Sequence, residues 1–388
     1  MKIIYVYADS PSEWNCSQWR SLTPSDAINK KGDGLEAKLI HVSGFFDFLN
    51  PAIQDLVAPA SVIVFQRNLV DQASFDSMEY WQGMGKPVLV DLDDAYHILP
   101  QSNPAHSFWI DKDNGDALVQ LEDGLRRSNG LIAPNRLLLS DWGHVAKGYY
   151  LPNYAEAKWW ENLPSREEMK KELGIDPGKT VIGWGGSVSH YDSWWGSGIR
   201  EASIRVANRH PEVLWMICGN DPRIVSQLPI SNLQKKLQPG VDPSLWPRIV
   251  KSFDVGLAPL FGPYDQRRSW IKGLEYLLAG VPWIATRGEP YRDIADFGVM
   301  ISNGVNEWEM AIEDTLSHLP QLQEASKEKE QMATVWYAEN QVDNFKKLFD
   351  NIVNDFNGDH GRLPGVYYVK AENKPVEAQP AETESTTT

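Results

Sequence analysis

Arg268, Lys272 and Glu275 fall at i, i+4 and i+7 within Arg267-Arg268-Ser269-Trp270-Ile271-Lys272-Gly273-Leu274-Glu275-Tyr276-Leu277-Leu278-Ala279-Gly280-Val281-Pro282. Read as a helix, that spacing sets two cations and a carboxylate on one side. Such a side suits an anionic, hydroxyl-rich ligand. Ile271, Leu274 and Leu278 form an apolar stripe on a neighbouring side, Gly280 stands where a C′ residue is needed, and Pro282 opens a strand-like Pro-Trp-Ile-Ala. The same pattern also fits a surface helix with an ordinary Lys-Glu pair, and the spacing alone leaves both readings open.

Two further constellations bear on that choice. Val181-Ile182-Gly183-Trp184-Gly185-Gly186-Ser187-Val188-Ser189-His190 reads as a strand running into a glycine-rich turn. Glycines let backbone approach a ligand, and free N–H groups after a strand make an anion cradle. Val188 breaks the dinucleotide fingerprint G-x-G-x-x-G, so the turn is either a phosphate cradle or simply tight. Asp91-Leu92-Asp93-Asp94-Ala95-Tyr96-His97 follows the apolar Pro87-Val88-Leu89-Val90. Carboxylates after a parallel strand lie where open α/β sheets bind ligands, so Asp93 and Asp94 are read as facing a cleft; capping a helix is the alternative. Asn15-Cys16-Ser17-Gln18-Trp19-Arg20 opens a helix after the first strand, and Gln66-Arg67-Asn68 follows the third. Ser17, Arg20 and Arg67 are thereby acceptor-side candidates. Gly219-Asn220-Asp221, Pro259-Leu260 and Arg287-Gly288-Glu289-Pro290-Tyr291 are the counterparts in the second half. No Ser-His-Asp ordering, HExxH, P-loop or CxxC pair occurs, which leaves acyl transfer, NTP hydrolysis and zinc chemistry without support.

The elements that must position these residues alternate. Strands are expected at 2–7, 36–41, 61–65, 87–91, 130–133, 148–151, 180–184, 213–218, 254–258, 282–285 and 299–302. Helical spacing fills 72–84, 115–127, 136–145, 198–210 and 305–317. Several strands are continuously apolar, as strands buried on both faces are. The rhythm predicts an α/β chain with two Rossmann-like domains, parallel sheets facing a central cleft. The boundaries expected are an N-terminal domain at 1–152, a linker at 153–164 and a second domain at 165–335. A C-terminal helix at 336–357 is expected to pack back on the first domain, with an acidic disordered tail at 358–388. The 388 residues suit two cores, and 42% apolar with 23% charged residues is ordinary for a soluble protein. A net charge of −15 gives no global attraction for nucleic acid or anionic lipid. With Cys16 and Cys218 alone there is neither a disulfide framework nor a zinc cluster, which favours the cytoplasm.

Together these residues resemble the retaining GT-B glycosyltransferases of the group 1 or family 4 kind, over roughly residues 2–350. The segments that carry the likeness are 88–94, 150–154, 182–187, Asp254-Val255-Gly256-Leu257-Ala258-Pro259-Leu260, and Lys272-Gly273-Leu274-Glu275-Tyr276 through Gly280-Val281-Pro282. The resemblance implies retaining, metal-independent transfer of a sugar from a nucleotide donor held mainly by the second domain, with no cofactor. It implies that Glu275 binds ribose hydroxyls and that Lys272 stands near the diphosphate, and on physical grounds Arg268 would join Lys272 in stabilising that diphosphate as it departs. Gly185, Gly186 and Ser187 would line it, and Glu289, Pro290 and Tyr291 would bring backbone N–H groups to the phosphates and sugar. Asp93 and Asp94 would face the transferred sugar and its acceptor, a glycan, a lipid-linked sugar or another surface-polymer precursor. Many relatives carry a glutamate eight residues before Glu275, where this chain has Arg267; a donor-sugar contact is therefore altered, either replaced by Asp265 or dropped. Two other readings remain: a phage-type transferase acting on DNA bases, against which the net charge argues, and a catalytically silent nucleotide-sugar binder. Trp159-Trp160 and Trp194-Trp195 are the candidates for a peripheral membrane contact.

Overall fold

A computed structural model describes residues 1–9, 15–67, 71–111 and 116–358. The acidic tail beyond 358 and Asn68 lie outside the described residues. The first sheet has six strands in the order β2-β1-β3-β4-β5-β6. These are β1 (Lys2–Tyr7), β2 (Glu36–His41), β3 (Val62–Gln66), β4 (Val88–Asp91), β5 (Leu131–Ala133) and β6 (Gly148–Tyr150). The second sheet, also six-stranded, runs β12-β11-β10-β7-β8-β9. Its strands are β7 (Thr180–Gly185), β8 (Val213–Cys218), β9 (Lys235–Gln238), β10 (Val255–Ala258), β11 (Trp283–Thr286) and β12 (Val299–Ile301). Every neighbouring pair is parallel.

The eleven expected strands are all present within a residue or two of their expected bounds; β9 is the addition. Its Lys-Lys-Leu-Gln is an edge strand, half-buried throughout, so it lacks the apolar run by which the interior strands announce themselves. β3, by contrast, is buried at all five positions. In each sheet the strand order reverses once, between β1 and β3 and between β7 and β10. Open α/β sheets bind ligands at the carboxyl ends of strands beside such a reversal. The turns after β1, β3, β7 and β10 are therefore the positions that matter.

The chain crosses between the sheets twice, and the crossings are stitched together. Ala155 N–H donates to Trp336 O at 3.1 Å, and Ala338 N–H to Ala155 O at 2.8 Å. The final helix, Val342–Gly358, returns to the first sheet. There Phe349 stands edge-on to Tyr5 at 6.4 Å, Phe345 edge-on to Tyr154 at 5.7 Å, and Tyr149 Oη donates to Asp355 at 2.8 Å. One apolar cluster runs from Ile3 and Tyr5 through Trp160, Trp270 and Tyr337 to Val181 and Phe253, so both sheets share a core. Trp160 and Trp194 are fully part of the interior, at 2% and 0% exposure, so neither tryptophan pair forms an apolar surface patch. Among the described residues no helix is long and apolar enough to cross a membrane.

Candidate functional site

The glycine turn closes β7 beside the second reversal, and its two glycines are required by crowding. A Cβ on Gly185 would lie 2.4 Å from the Trp246 ring, and one on Gly186 would lie 2.6 Å from Trp184. Gly186 N–H donates to Cys218 O at 3.0 Å, tying the turn to the end of β8. Ser187 Oγ shares a hydrogen bond with Ser189 Oγ at 2.7 Å. Gly185→Ala is expected to displace Trp246 and to lower stability by about 1–3 kcal/mol, read as a lower melting temperature in calorimetry.

The helix expected from Arg267 up to the C′ residue Gly280 begins only at Ile271 and ends at Leu278. Arg267 and Arg268 lie in the preceding turn. Gly280, at φ +62°, closes the helix as a Schellman motif. Its N–H donates to Leu277 O at 3.0 Å and that of Val281 to Tyr276 O at 2.9 Å. Residues 273 to 278 are all buried, which removes the surface-helix reading. Lys272 Nζ donates to Gly185 O, so the helix grips the turn directly. Glu275 is 4% exposed, and its Oε1 has no hydrogen-bond partner among the described residues. Burial raises the Glu275 pKa, against the pull of Trp246 and Lys272. Burial also lowers the Lys272 pKa; Glu275 opposes the shift and Arg268 adds to it.

Arg268 organises the rest of the site despite preceding the helix. Its Nε donates to Asp265 at 2.8 Å, Nη2 to Ser189 O at 2.6 Å, and Nη1 lies 2.7 Å from His190 Nε2. Its guanidinium stands over the Tyr264 ring at 4.6 Å. Asp265 is 2% exposed and also accepts from Ser193 Oγ at 2.6 Å and Phe261 N–H at 2.7 Å. Its oxygens are thus engaged in holding the loop rather than aimed at a sugar. Arg267 pairs across the cleft with Asp141, Nη2 to Oδ1 at 2.8 Å.

On the opposing rim, Asp94 accepts from Tyr264 Oη at 2.6 Å and Asp93 from Tyr96 Oη at 3.0 Å. Burial holds the Asp94 carboxyl above the usual range, with Arg268 opposing and Asp93 reinforcing. Arg67 donates to Tyr96 Oη at 3.2 Å and pairs with Asp9. It takes φ +37°, a left-handed backbone uncommon for a residue with a side chain. Ser17 and Arg20, expected on this rim, lie inside it. Ser17 is 0% exposed, donates to Gln66 Oε1 at 2.6 Å and accepts from Asp9 N–H at 3.1 Å. Arg20 is 3% exposed and grips Asp91 through Nε at 2.8 Å and Nη2 at 2.9 Å.

The loop of Glu289, Pro290 and Tyr291 departs from its expected use. Glu289 N–H already donates to Gln266 Oε1 at 3.0 Å, Pro290 has no N–H, and Tyr291 N–H donates to Gly288 O at 3.2 Å. Tyr291 is 2% exposed and packs edge-on against Trp283 at 5.5 Å. Sequence reasoning also misses Tyr264, Trp246 and Asn135. Asn135 Nδ2 donates to Gln266 O at 3.0 Å and Arg268 O at 2.8 Å, fixing the loop from across the cleft. Nothing in the local pattern marks these three, because each acts through a contact more than a hundred residues away or on another strand's turn.

No protein-family model matches the chain, and no curated protein matches it by sequence. Solved structures do. Sucrose-phosphate synthase from Thermosynechococcus elongatus superposes with a TM-score of 0.64 at 12% identity, over 91% of this chain and 99% of that one. HepE from Anabaena, solved with UDP and glucose, gives 0.63 at 13% identity over 90% and 100%. A glycosyltransferase from Rickettsia africae gives 0.62 at 13% identity over 91% and 98%. Two parallel six-stranded sheets with this connectivity, superposing along nearly the whole length of such enzymes, give the chain the GT-B fold of glycosyltransferases.

Proposed function

We propose that the chain is a glycosyltransferase that moves a sugar from a nucleotide-sugar donor to a glycan, lipid-linked or other acceptor, with retention and without a metal. The observation that carries this reading is that Lys272 and Arg268 both bond to the glycine turn at the β7–β10 reversal, with Glu275 buried on the same helix as Lys272. HepE, which shares the fold, is described in complex with UDP and with UDP-glucose, which supports a nucleotide sugar as the ligand. In this reading the region 165–335 holds the donor and 1–152 the acceptor. Glu275 Oε1, buried without a partner among the described residues, accepts from ribose hydroxyls. Lys272 and Arg268 stabilise the departing diphosphate, the electrostatic contribution that is usually largest. The glycosidic bond breaks with its electron pair passing to the phosphate oxygen. The acceptor oxygen attacks the same face, and the leaving phosphate takes the acceptor's proton. Asp93 and Asp94 hold the acceptor side.

The test is a screen of nucleotide sugars by thermal shift, followed by proton NMR of product from whichever donor raises the melting temperature. Stabilisation by a nucleotide sugar and a product with the donor's anomeric configuration are expected. An inverted product would overturn same-face transfer. Binding without nucleotide release in any acceptor pool would make the chain a silent binder.

A further inference from the structure

His190 carries a polar atom that the fold does not explain. Its Nε2 lies 2.7 Å from Arg268 Nη1. A guanidinium only donates, so Nε2 must accept, and the ring proton resides on Nδ1. Burial, with the Arg268 and Lys272 cations close by, holds the His190 pKa well below its ordinary value, which keeps the ring neutral. Nδ1 is shielded from solvent and has no partner among the described residues. Buried N–H groups are rarely left without an acceptor. The bond from Arg268 Nη1 orients the ring, which also stands edge-on to Trp184 at 6.3 Å, while the backbone N–H of His190 donates to Ser187 O at 3.0 Å. Two cations, Arg268 and Lys272, stand close to the ring, so an anionic oxygen is the acceptor that suits the open position.

We propose that His190 Nδ1–H donates a hydrogen bond to a diphosphate oxygen of the donor nucleotide, with Arg268 fixing the tautomer that makes this possible. The inference rests on the glycosyltransferase reading and adds a ligand-contacting residue to it. A merely structural His190 would serve only as an acceptor bracing Arg268, and two substitutions separate the roles. Asparagine can place an amide N–H where Nδ1 stands, and glutamine can place its carbonyl where Nε2 stands. UDP, ADP and GDP would be titrated into the full-length protein and its H190N and H190Q variants by calorimetry. For the nucleotide that binds best, H190N is expected within about threefold of the unaltered protein. H190Q, which keeps the brace on Arg268 but lacks the Nδ1 donor, is expected about tenfold weaker. Full affinity in H190Q with loss in H190N, or full affinity in both, overturns this role and leaves the glycosyltransferase reading standing. Failure of all three nucleotides to bind the unaltered protein overturns both.

Discussion

Arg20→Ala is expected to lower stability by about 3–5 kcal/mol, the cost of removing one partner of a buried ion pair. In a thermal melt that is a fall on the order of 10 °C. Both side chains of the Arg20–Asp91 pair are 2% exposed. The same guanidinium donates to Leu151 O and Asn153 Oδ1, each at 2.8 Å. It therefore ties the turn after β1 to the end of β4 and to the first crossing between the sheets. Asn153 O in turn accepts from Trp270 Nε1 at 2.6 Å, which carries the tie to the start of the helix Ile271–Leu278. Burial already raises the Asp91 pKa against the pull of Arg20, and without Arg20 it rises further. The folded variant then keeps a proton that the folded parent releases, so the deficit grows as pH rises through the raised Asp91 pKa of the parent and shrinks in acid. Replacing both partners, Arg20→Met with Asp91→Leu, is expected to recover most of the loss. If Arg20 instead contacted the acceptor, Arg20→Ala would raise the acceptor KM and leave the melting temperature unchanged.

That contrast shows where the sequence was legible. Strands such as Val62–Gln66 are apolar at almost every position because both faces are covered, and burial of that kind is written in residue types. The glycine turn and the Lys272–Glu275 spacing are local patterns as well, and both sit where their spacing placed them. Whether a polar residue faces the cleft or braces the fold behind it is not a local property. Arg20, in the helix Gln18–Leu22 that follows β1, and Arg67, directly after β3, both come after strands of the first sheet, yet one is enclosed by Asp91, Leu151 and Asn153 while the other reaches Tyr96 and Asp9. The difference is made by partners distant in sequence. Glu289, Pro290 and Tyr291 show the same limit. Gln266, 23 residues away, occupies the N–H that their local pattern offers. Arg268 reaches its expected surroundings by a different route, from a turn rather than from the helix, because Asp265, Ser189 and His190 hold it there.

Lys272→Ala is expected to reduce donor kcat about 100- to 1000-fold, the usual effect of deleting one preorganised group that meets developing charge. The site gives a reason for so large a loss. Lys272 is held by Gly185 O and is half-buried, with the Glu275 carboxyl near enough to hold its proton. Its pair with Glu275 also sets the pH range of activity. Burial raises the Glu275 pKa, so as pH falls through that raised value the carboxylate gains a proton and can no longer accept from two hydroxyls. Burial lowers the Lys272 pKa, so as pH rises through that lowered value the cation is lost. Donor kcat/KM should therefore follow a bell, with its acidic limb above the ordinary glutamate range and its alkaline limb below the ordinary lysine range. The two limbs belong to the pair rather than to either residue, since removing one charge moves the other. Glu275→Gln separates them. It abolishes the acidic limb and, by withdrawing the carboxylate that holds the proton on Lys272, moves the alkaline limb to lower pH. A profile in which Glu275→Gln leaves both limbs in place would show that the pair does not govern donor turnover.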